Sequence, residues 1–138
     1  MIILKENELD VKTYLELRKS VNWKELSLEQ ASLALKNSLF TVCAYDSDKP
    51  VGMGRIVGDN VVIDYIQDLV VRPDSQSEGV GRLIIERLIN YVKDSKLEGT
   101  EIMLCLMCAK GRENFYKKFD FIARPTENLG PGMIQYIK

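Results

Sequence analysis

The sequence predicts a mixed α/β (α+β) fold: one domain over residues 1-138, with a mostly antiparallel sheet, a parallel strand-helix-strand crossover and flanking helices. Three observations carry that expectation. Two helix-start signals follow a short first strand. Three strand-like runs then succeed one another across short turns. The third run stops at a proline and gives way to helical spacing and a further apolar run.

The elements follow in order. "IILK" (Ile2 to Lys5) has strand composition. Asp10 is placed to cap a helix that turns Val11, Tyr14, Leu15 and Val21 to one side. Ser27 and Gln30 have capping-box spacing and open a second helix with Ala31, Ala34, Leu35 and Leu39 inward. "FTVCAYD" (Phe40 to Asp46) and "VGMGRIV" (Val51 to Val57) read as strands joined by the turn "SDKP". "GDN" turns the chain again into the apolar run Val61 to Val71. Past the loop, Val80, Leu83, Ile84, Leu88 and Tyr91 share a helix face. "KLEGT" ends that helix, and Ile102 to Cys108 forms the next strand, which a crossover places parallel to the Val61–Val71 run. A short helix at "RENFYKKF" and a final strand at "GPGMIQYIK" complete the expectation.

Composition narrows the function classes. The 138 residues are 46% hydrophobic and 28% charged with net charge −1, as in an ordinary globular domain. That balance offers no bulk charge for nucleic acid, and no stretch is apolar enough to cross a bilayer or serve as a signal peptide, so a cytoplasmic protein is expected. Three cysteines, Cys43, Cys105 and Cys108, are too few for a disulfide framework. Cys105 and Cys108 have C-x-x-C spacing, but they lie in a strand, where residues three apart face opposite ways; core cysteines and no metal site are expected. The chain has no histidine, which removes histidine-based nucleophilic and metal mechanisms together. Acid-base work falls to carboxylates, tyrosine, lysine, cysteine or water.

The most informative stretch is "VVRPDSQSEGVGRLIIERL" (Val70 to Leu88). Gly79 and Gly81 flank Val80 where loop becomes helix, so the backbone can take positive φ and approach a ligand closely. The first amides of a helix lack intrahelical partners and sit at the positive end of its dipole, which makes an anion cradle. A P-loop would need Gly-Lys-Ser/Thr, but Gly81 precedes Arg82 and Leu83. A dinucleotide fingerprint would need a third glycine where Ile84 stands.

The Q-x-x-G-x-G run Gln76-Ser77-Glu78-Gly79-Val80-Gly81, the strand before it and the downstream F-Y-x-K-x-x-F from Phe115 to Phe121 resemble the GNAT superfamily of acetyl-CoA-dependent N-acetyltransferases. The resemblance implies an N-acetyltransferase that moves an acetyl group from acetyl-CoA to a primary amine, by direct attack through a tetrahedral intermediate. A small-molecule acceptor is expected; an acyl-CoA sensor without turnover, or a protein N-terminal or lysine acetyltransferase, are the alternatives. It assigns the pyrophosphate to the backbone of Gln76, Ser77, Glu78, Gly79, Val80, Gly81 and Arg82. It places the pantetheine arm beside Leu69, Val70 and Val71, on a strand that carries a bulge, with Gln67 and Asp68 as its expected place. Tyr116 takes the position of the proton donor to the leaving sulfur. Asp68 is chosen as base over Asp64, Tyr65 and ordered water, against a structural reading in which Asp68 pairs with a cation such as Arg55 or lies at a solvated strand surface. The chain departs from the family pattern at Ala109, at Ser77-Glu78 and at Asp120, which replaces a glycine. A homodimer is left open.

Overall fold

The computed structural model describes residues 1–138. The chain divides into two compact units, Met1–Leu106 and Met107–Lys138.

The first unit holds a five-stranded sheet: β1 (Ile2–Glu6), β2 (Phe40–Asp46), β3 (Lys49–Gly58), β4 (Ile63–Val71) and β5 (Met103–Leu106), ordered as in the sequence. The first four strands run antiparallel, and β5 pairs parallel to β4. The expected topology of this sheet is therefore present, including the crossover from β4 through a helix to β5.

Local chemistry explains the helices. The helix α1 (Val11–Ser20) starts where the Asp10 carboxylate accepts from the Thr13 amide at 2.8 Å. Ser27 opens α2 (Leu28–Lys36) in the same way, accepting from the Gln30 amide at 3.0 Å. That helix ends at Asn37, so Leu39 lies beyond it and leads into β2. Tyr14, Leu17 and Ala31 are buried with Leu9, Cys43, Met53 and Val70 in one core cluster, and Val11, Leu15 and Val21 pack against its rim.

The other face of the sheet carries α3 (Val80–Ser95), which buries Val80, Ile84, Ile85, Leu88 and Val92. The inward face is thus rotated slightly from the expected one, and Leu83 is left 39% exposed. Two glycines set how closely this helix lies on the sheet. A Cβ on Gly52 would stand 2.9 Å from both Ile84 Cδ1 and the Val70 carbonyl oxygen, and one on Gly54 would stand 2.8 Å from Leu88 Cδ1. No helix is long and apolar enough to cross a membrane.

The second unit contains α4 (Glu113–Lys117) and a series of turns. Residues 107–138 include no buried residue. Two expectations are corrected here. The strand expected over residues 102–108 is confined to Met103–Leu106, with Cys105 half-buried and Cys108 exposed, so neither is a core cysteine. The final strand expected at "GPGMIQYIK" does not form: those residues are all exposed and have no regular structure. β-propensity alone cannot hold a strand that has no ladder partner.

Candidate active site

The site is built on an irregularity in β4. Met53 pairs with Val70 and Arg55 with Gln67, so two steps along β3 face three along β4. The extra residue is a β-bulge at the place the polar pair Gln67-Asp68 marks in the sequence. Asp68 adopts φ 57°, a left-handed conformation that Asp and Asn tolerate better than most residues. The parallel ladder with β5 runs from Ile63 opposite Met103 to Ile66 opposite Leu106 and stops one residue before the bulge. Beyond that point Leu69, Val70 and Val71 have no strand beside them on the β5 side.

The bulge is pinned from within. The Asp68 side chain, 1% exposed, accepts from Tyr14 Oη at 2.6 Å, from Arg18 Nη1 at 2.6 Å and from Arg55 Nε at 2.8 Å. Gln67 Nε2 lies 3.4 Å away. Both guanidiniums are nearly buried, at 11% and 12% exposed. Of the two sequence readings for Asp68, the geometry favours the ion pair with Arg55, with Arg18 and Tyr14 as further partners. A carboxylate whose two oxygens already take three strong donors has little capacity left to accept an amine proton. Burial, then the hydrogen bond to Asp68, pushes the Tyr14 phenol up to about 12, which keeps it a donor at neutral pH.

The two arginines carry the pin outward. Arg18 Nη2 donates to the Lys24 carbonyl at 3.0 Å, and its guanidinium lies 5.3 Å from the Trp23 ring centroid. Arg55 Nη1 reaches Ser38 Oγ at 3.2 Å. One buried carboxylate therefore ties β4 to α1, to the loop after it and to the end of α2. Sequence reasoning missed Tyr14 and Arg18 as members of the site. The available signal was their i, i+4 spacing, which puts an arginine on the face of α1 that the apolar pattern turns inward. An open cleft of about 400 Å³ adjoins this cluster, lined by Leu15, Arg18, Asn22, Trp23, Lys24 and neighbours.

The glycine-rich loop has the geometry of a cradle. A 3-10 turn, Pro73–Ser75, leads to Gln76, whose side-chain Nε2 donates to the Val71 carbonyl at 3.1 Å and closes the end of β4. Ser77 and Gly79 both take positive φ, 72° and 81°, and Gly79 caps α3 without a side-chain hydrogen bond. The first intrahelical bond runs from the Leu83 amide to the Gly79 carbonyl, 3.1 Å, so the amides of the preceding turn have no intrahelical acceptor. A Cβ on Gly79 would meet nothing within 4 Å, which leaves room for an anion. Gly81 lies within α3 and needs no unusual φ, so of the two glycines only Gly79 does the conformational work expected of both. Glu78 is exposed, and Arg82 is held by Glu86 at 2.8 Å on the helix surface. The cradle is made of backbone.

Three further carboxyl and phenol candidates remain. Asp64 is fully buried; its Oδ1 accepts from the Asn60 amide at 3.0 Å while Oδ2 has no partner. Burial pushes its carboxyl up. Tyr65 is half-buried on the same strand. In the second unit, Tyr116 sits in α4 with its ring edge-on to Phe115 at 5.1 Å and to Phe121 at 6.0 Å. Burial, with Cys108 adding to it and Arg112 opposing, pushes its phenol up to about 12. Asp120 takes φ 69°, the left-handed geometry for which a glycine would be the usual choice.

The mostly antiparallel sheet with its parallel crossover from β4 to β5 matches the topology of acetyltransferase domains. The chain matches the model of the GNAT acetyltransferase domain over residues 36–123, and it belongs to that family. It is 31% identical over 114 residues to an uncharacterised N-acetyltransferase, ycf52, of Pyropia yezoensis, covering 80% of this chain and 63% of that protein. The chain thus spans under two thirds of the length of that curated relative. Among solved structures it resembles a Staphylococcus aureus protein of unknown function described as a probable acetyltransferase, at 33% identity and TM-score 0.85 over 100% of this chain and 99% of that one. A GNAT-family acetyltransferase of Streptococcus pneumoniae is similar at 28% identity and TM-score 0.84, with the same coverage.

Proposed function

We propose that this protein transfers the acetyl group of acetyl-CoA to a primary amine on a small molecule. The observation that carries the reading is the conjunction of the unpaired edge of β4 past the bulge with the uncapped N-terminus of α3. The edge at Leu69–Val71 offers backbone groups to an extended pantetheine arm, as a strand would. The amides around Gly79–Arg82 offer donors to a pyrophosphate, and the dipole of α3 adds to them.

The chain's own residues divide the remaining work. A backbone amide at the bulge is placed to polarise the thioester carbonyl, and its direction depends on the left-handed turn at Asp68. Asp68 is then a positioning residue, held by Tyr14, Arg18 and Arg55, and the attacking amine loses its proton to water. Tyr116 donates to the departing sulfur. With its phenol at about 12 against a thiol near ~8.5, complete proton transfer is uphill by several kcal/mol, so a hydrogen bond to the developing thiolate is the useful contribution. The cleft beside Arg18 and Trp23 is the proposed acceptor side.

Calorimetric titration with acetyl-CoA, followed by thiol release across a panel of amines, polyamines, amino acids and aminoglycosides, tests the proposal. Binding with release is expected; folded protein that ignores acetyl-CoA at millimolar concentration would sink it. Binding without release on any amine would instead mark an acyl-CoA sensor. Tyr116→Phe is expected to lower kcat by roughly 10²-fold with little change in cofactor affinity. Because the phenol keeps its proton until about pH 12, no alkaline limb from Tyr116 is expected below pH ~11.

A further inference from the structure

We propose that the acceptor amine carries an oxyanion on the same molecule, a carboxylate or a phosphate, and that the cleft at the end of α1 selects it over diamines and polyamines. The inference rests on the reading of that cleft as the acceptor side. Its charge is the first observation. Arg18, Lys19 and Lys24 line it against a single carboxylate, Glu25. This stands out in a chain whose net charge is −1. Lys19 and Lys24 are exposed and enter no ion pair. Charges of one sign gathered in a concave wall raise the local concentration of anions and lower that of ammonium ions.

The hydrogen-bonding groups point the same way. The end of a helix ordinarily offers free carbonyls, which would favour a cation. Those at the end of α1 are already taken. The Leu17 carbonyl accepts from Ser20 Oγ at 2.6 Å, and that of Lys19 from the Asn22 amide at 3.0 Å. The Arg18 carbonyl accepts from the Val21 and Trp23 amides at 3.3 and 3.2 Å. In the loop, the Lys24 carbonyl accepts from Arg18 Nη2 at 3.0 Å. Donors are what remain. Arg18 bonds through Nη1 and Nη2, its Nε has no acceptor, and the two lysine ammoniums are unengaged.

Arg18 also relates the cleft to the reacting end. One guanidinium bonds Asp68 at the bulge through Nη1 and the cleft wall through Nη2. An oxyanion against this wall therefore stands within a small molecule's length of the β4 edge. Leu15, Leu26 and Trp23, the last 39% exposed, supply apolar cover for a short flat body. The same field serves the chemistry. An amine attacks only in its neutral form, and neighbouring positive charge disfavours the ammonium. That help matters where Asp68 is committed to its ion pairs.

Trp23 is the only tryptophan in the chain, so its fluorescence reads the cleft without acetyl-CoA or turnover. Three probes share one body and differ in the group opposite the amine: para-(aminomethyl)benzoate, para-(aminomethyl)benzylphosphonate and para-xylylenediamine. At low salt an anionic probe should bind roughly tenfold or more tighter than the diamine, with the gap closing as salt is added. Which anionic probe leads distinguishes a carboxylate from a phosphate. Lys19→Glu combined with Lys24→Glu, both at exposed positions, should abolish or reverse the preference. Equal or tighter binding of the diamine would overturn the proposal. So would a preference that survives the charge reversal, or a Trp23 signal that answers none of the probes. Thiol release from acetyl-CoA with the same probes keeps this inference distinct from acetyl transfer itself. Release fastest with the diamine would defeat the anion preference and leave transfer standing. An anion-selective Trp23 response with no release on any amine would support the anion site and defeat transfer.

Discussion

Replacing Asp68 with asparagine separates its charge from its shape. Asparagine keeps the size of the side chain and tolerates the left-handed backbone at φ 57°, so the bulge is not strained by the change. Tyr14 can still donate to the amide oxygen. Arg18 and Arg55, 11% and 12% exposed, lose their counter-charge; Arg55 keeps the same amide oxygen as Tyr14 for an acceptor, while the new amide group donates where Arg18 already donates. Leaving buried charge uncompensated in this way costs ~3–5 kcal/mol. For a domain of this length that converts to a fall in Tm of roughly 10–15 °C. Urea denaturation and calorimetry of Asp68→Asn measure it directly. Kinetics then separate the two roles. If Asp68 positions the bulge, kcat falls with the acid limb of the pH-rate profile in place. If it is the base, the variant stays within ~1 kcal/mol of the parent and the acid limb of kcat/KM disappears. The second outcome would refute the assignment made from the structure. A double-mutant cycle with Arg55→Met should show coupling above ~1 kcal/mol, since the two side chains share one contact.

Three other outcomes are expected. Gly52→Ala should cost ~1–3 kcal/mol in denaturation, because the added methyl meets the Val70 carbonyl and two α3 side chains and the helix must lift; unchanged stability would mean α3 rides higher than described. Asp64→Asn should change how stability varies with pH. Burial raises the Asp64 carboxyl above its unfolded value, so the neutral acid is favoured in the folded state; its contribution is complete below the unfolded pKa and is lost as pH rises through the folded one. The variant should therefore gain on the parent between pH ~4 and neutrality, and a parent-minus-variant difference that grows with pH would contradict this. Glu78→Lys should tighten acetyl-CoA binding roughly threefold at low salt, with the gain vanishing near ~0.5 M salt. No change at low salt would mean the loop lies far from the phosphates.

Much of the sheet was legible because its signals are local. The strands β1 to β4 alternate or run apolar between turn residues, and both early helices announce themselves by a capping side chain that the structure finds in use. The loop was legible for the same reason: Gly79 has positive φ where a glycine stands between a proline-ended strand and a helix. Gly81 was over-read, since proximity to a cradle does not by itself demand an unusual conformation. The final strand was misread for a different reason. Its composition is that of a strand, but strand formation depends on a partner edge, which the tail's own sequence does not reveal.

Asp68 shows the same limit at the site. A polar pair interrupting an apolar run is visible in the sequence and does mark the bulge. What the aspartate does there depends on Tyr14, Arg18 and Arg55, which are 54, 50 and 13 residues away in the chain. An unpaired carboxylate on that strand would be a candidate base; a carboxylate with two guanidiniums and a phenol on it is a fastener. The residue type is identical in the two cases, and only the fold supplies the donors that decide between them. The carboxylate holds the bulge, and the bulge sets the direction of the amide that the proposed chemistry needs. In the proposed chemistry Asp68 therefore acts through its ion pairs, as the residue that holds the bulge.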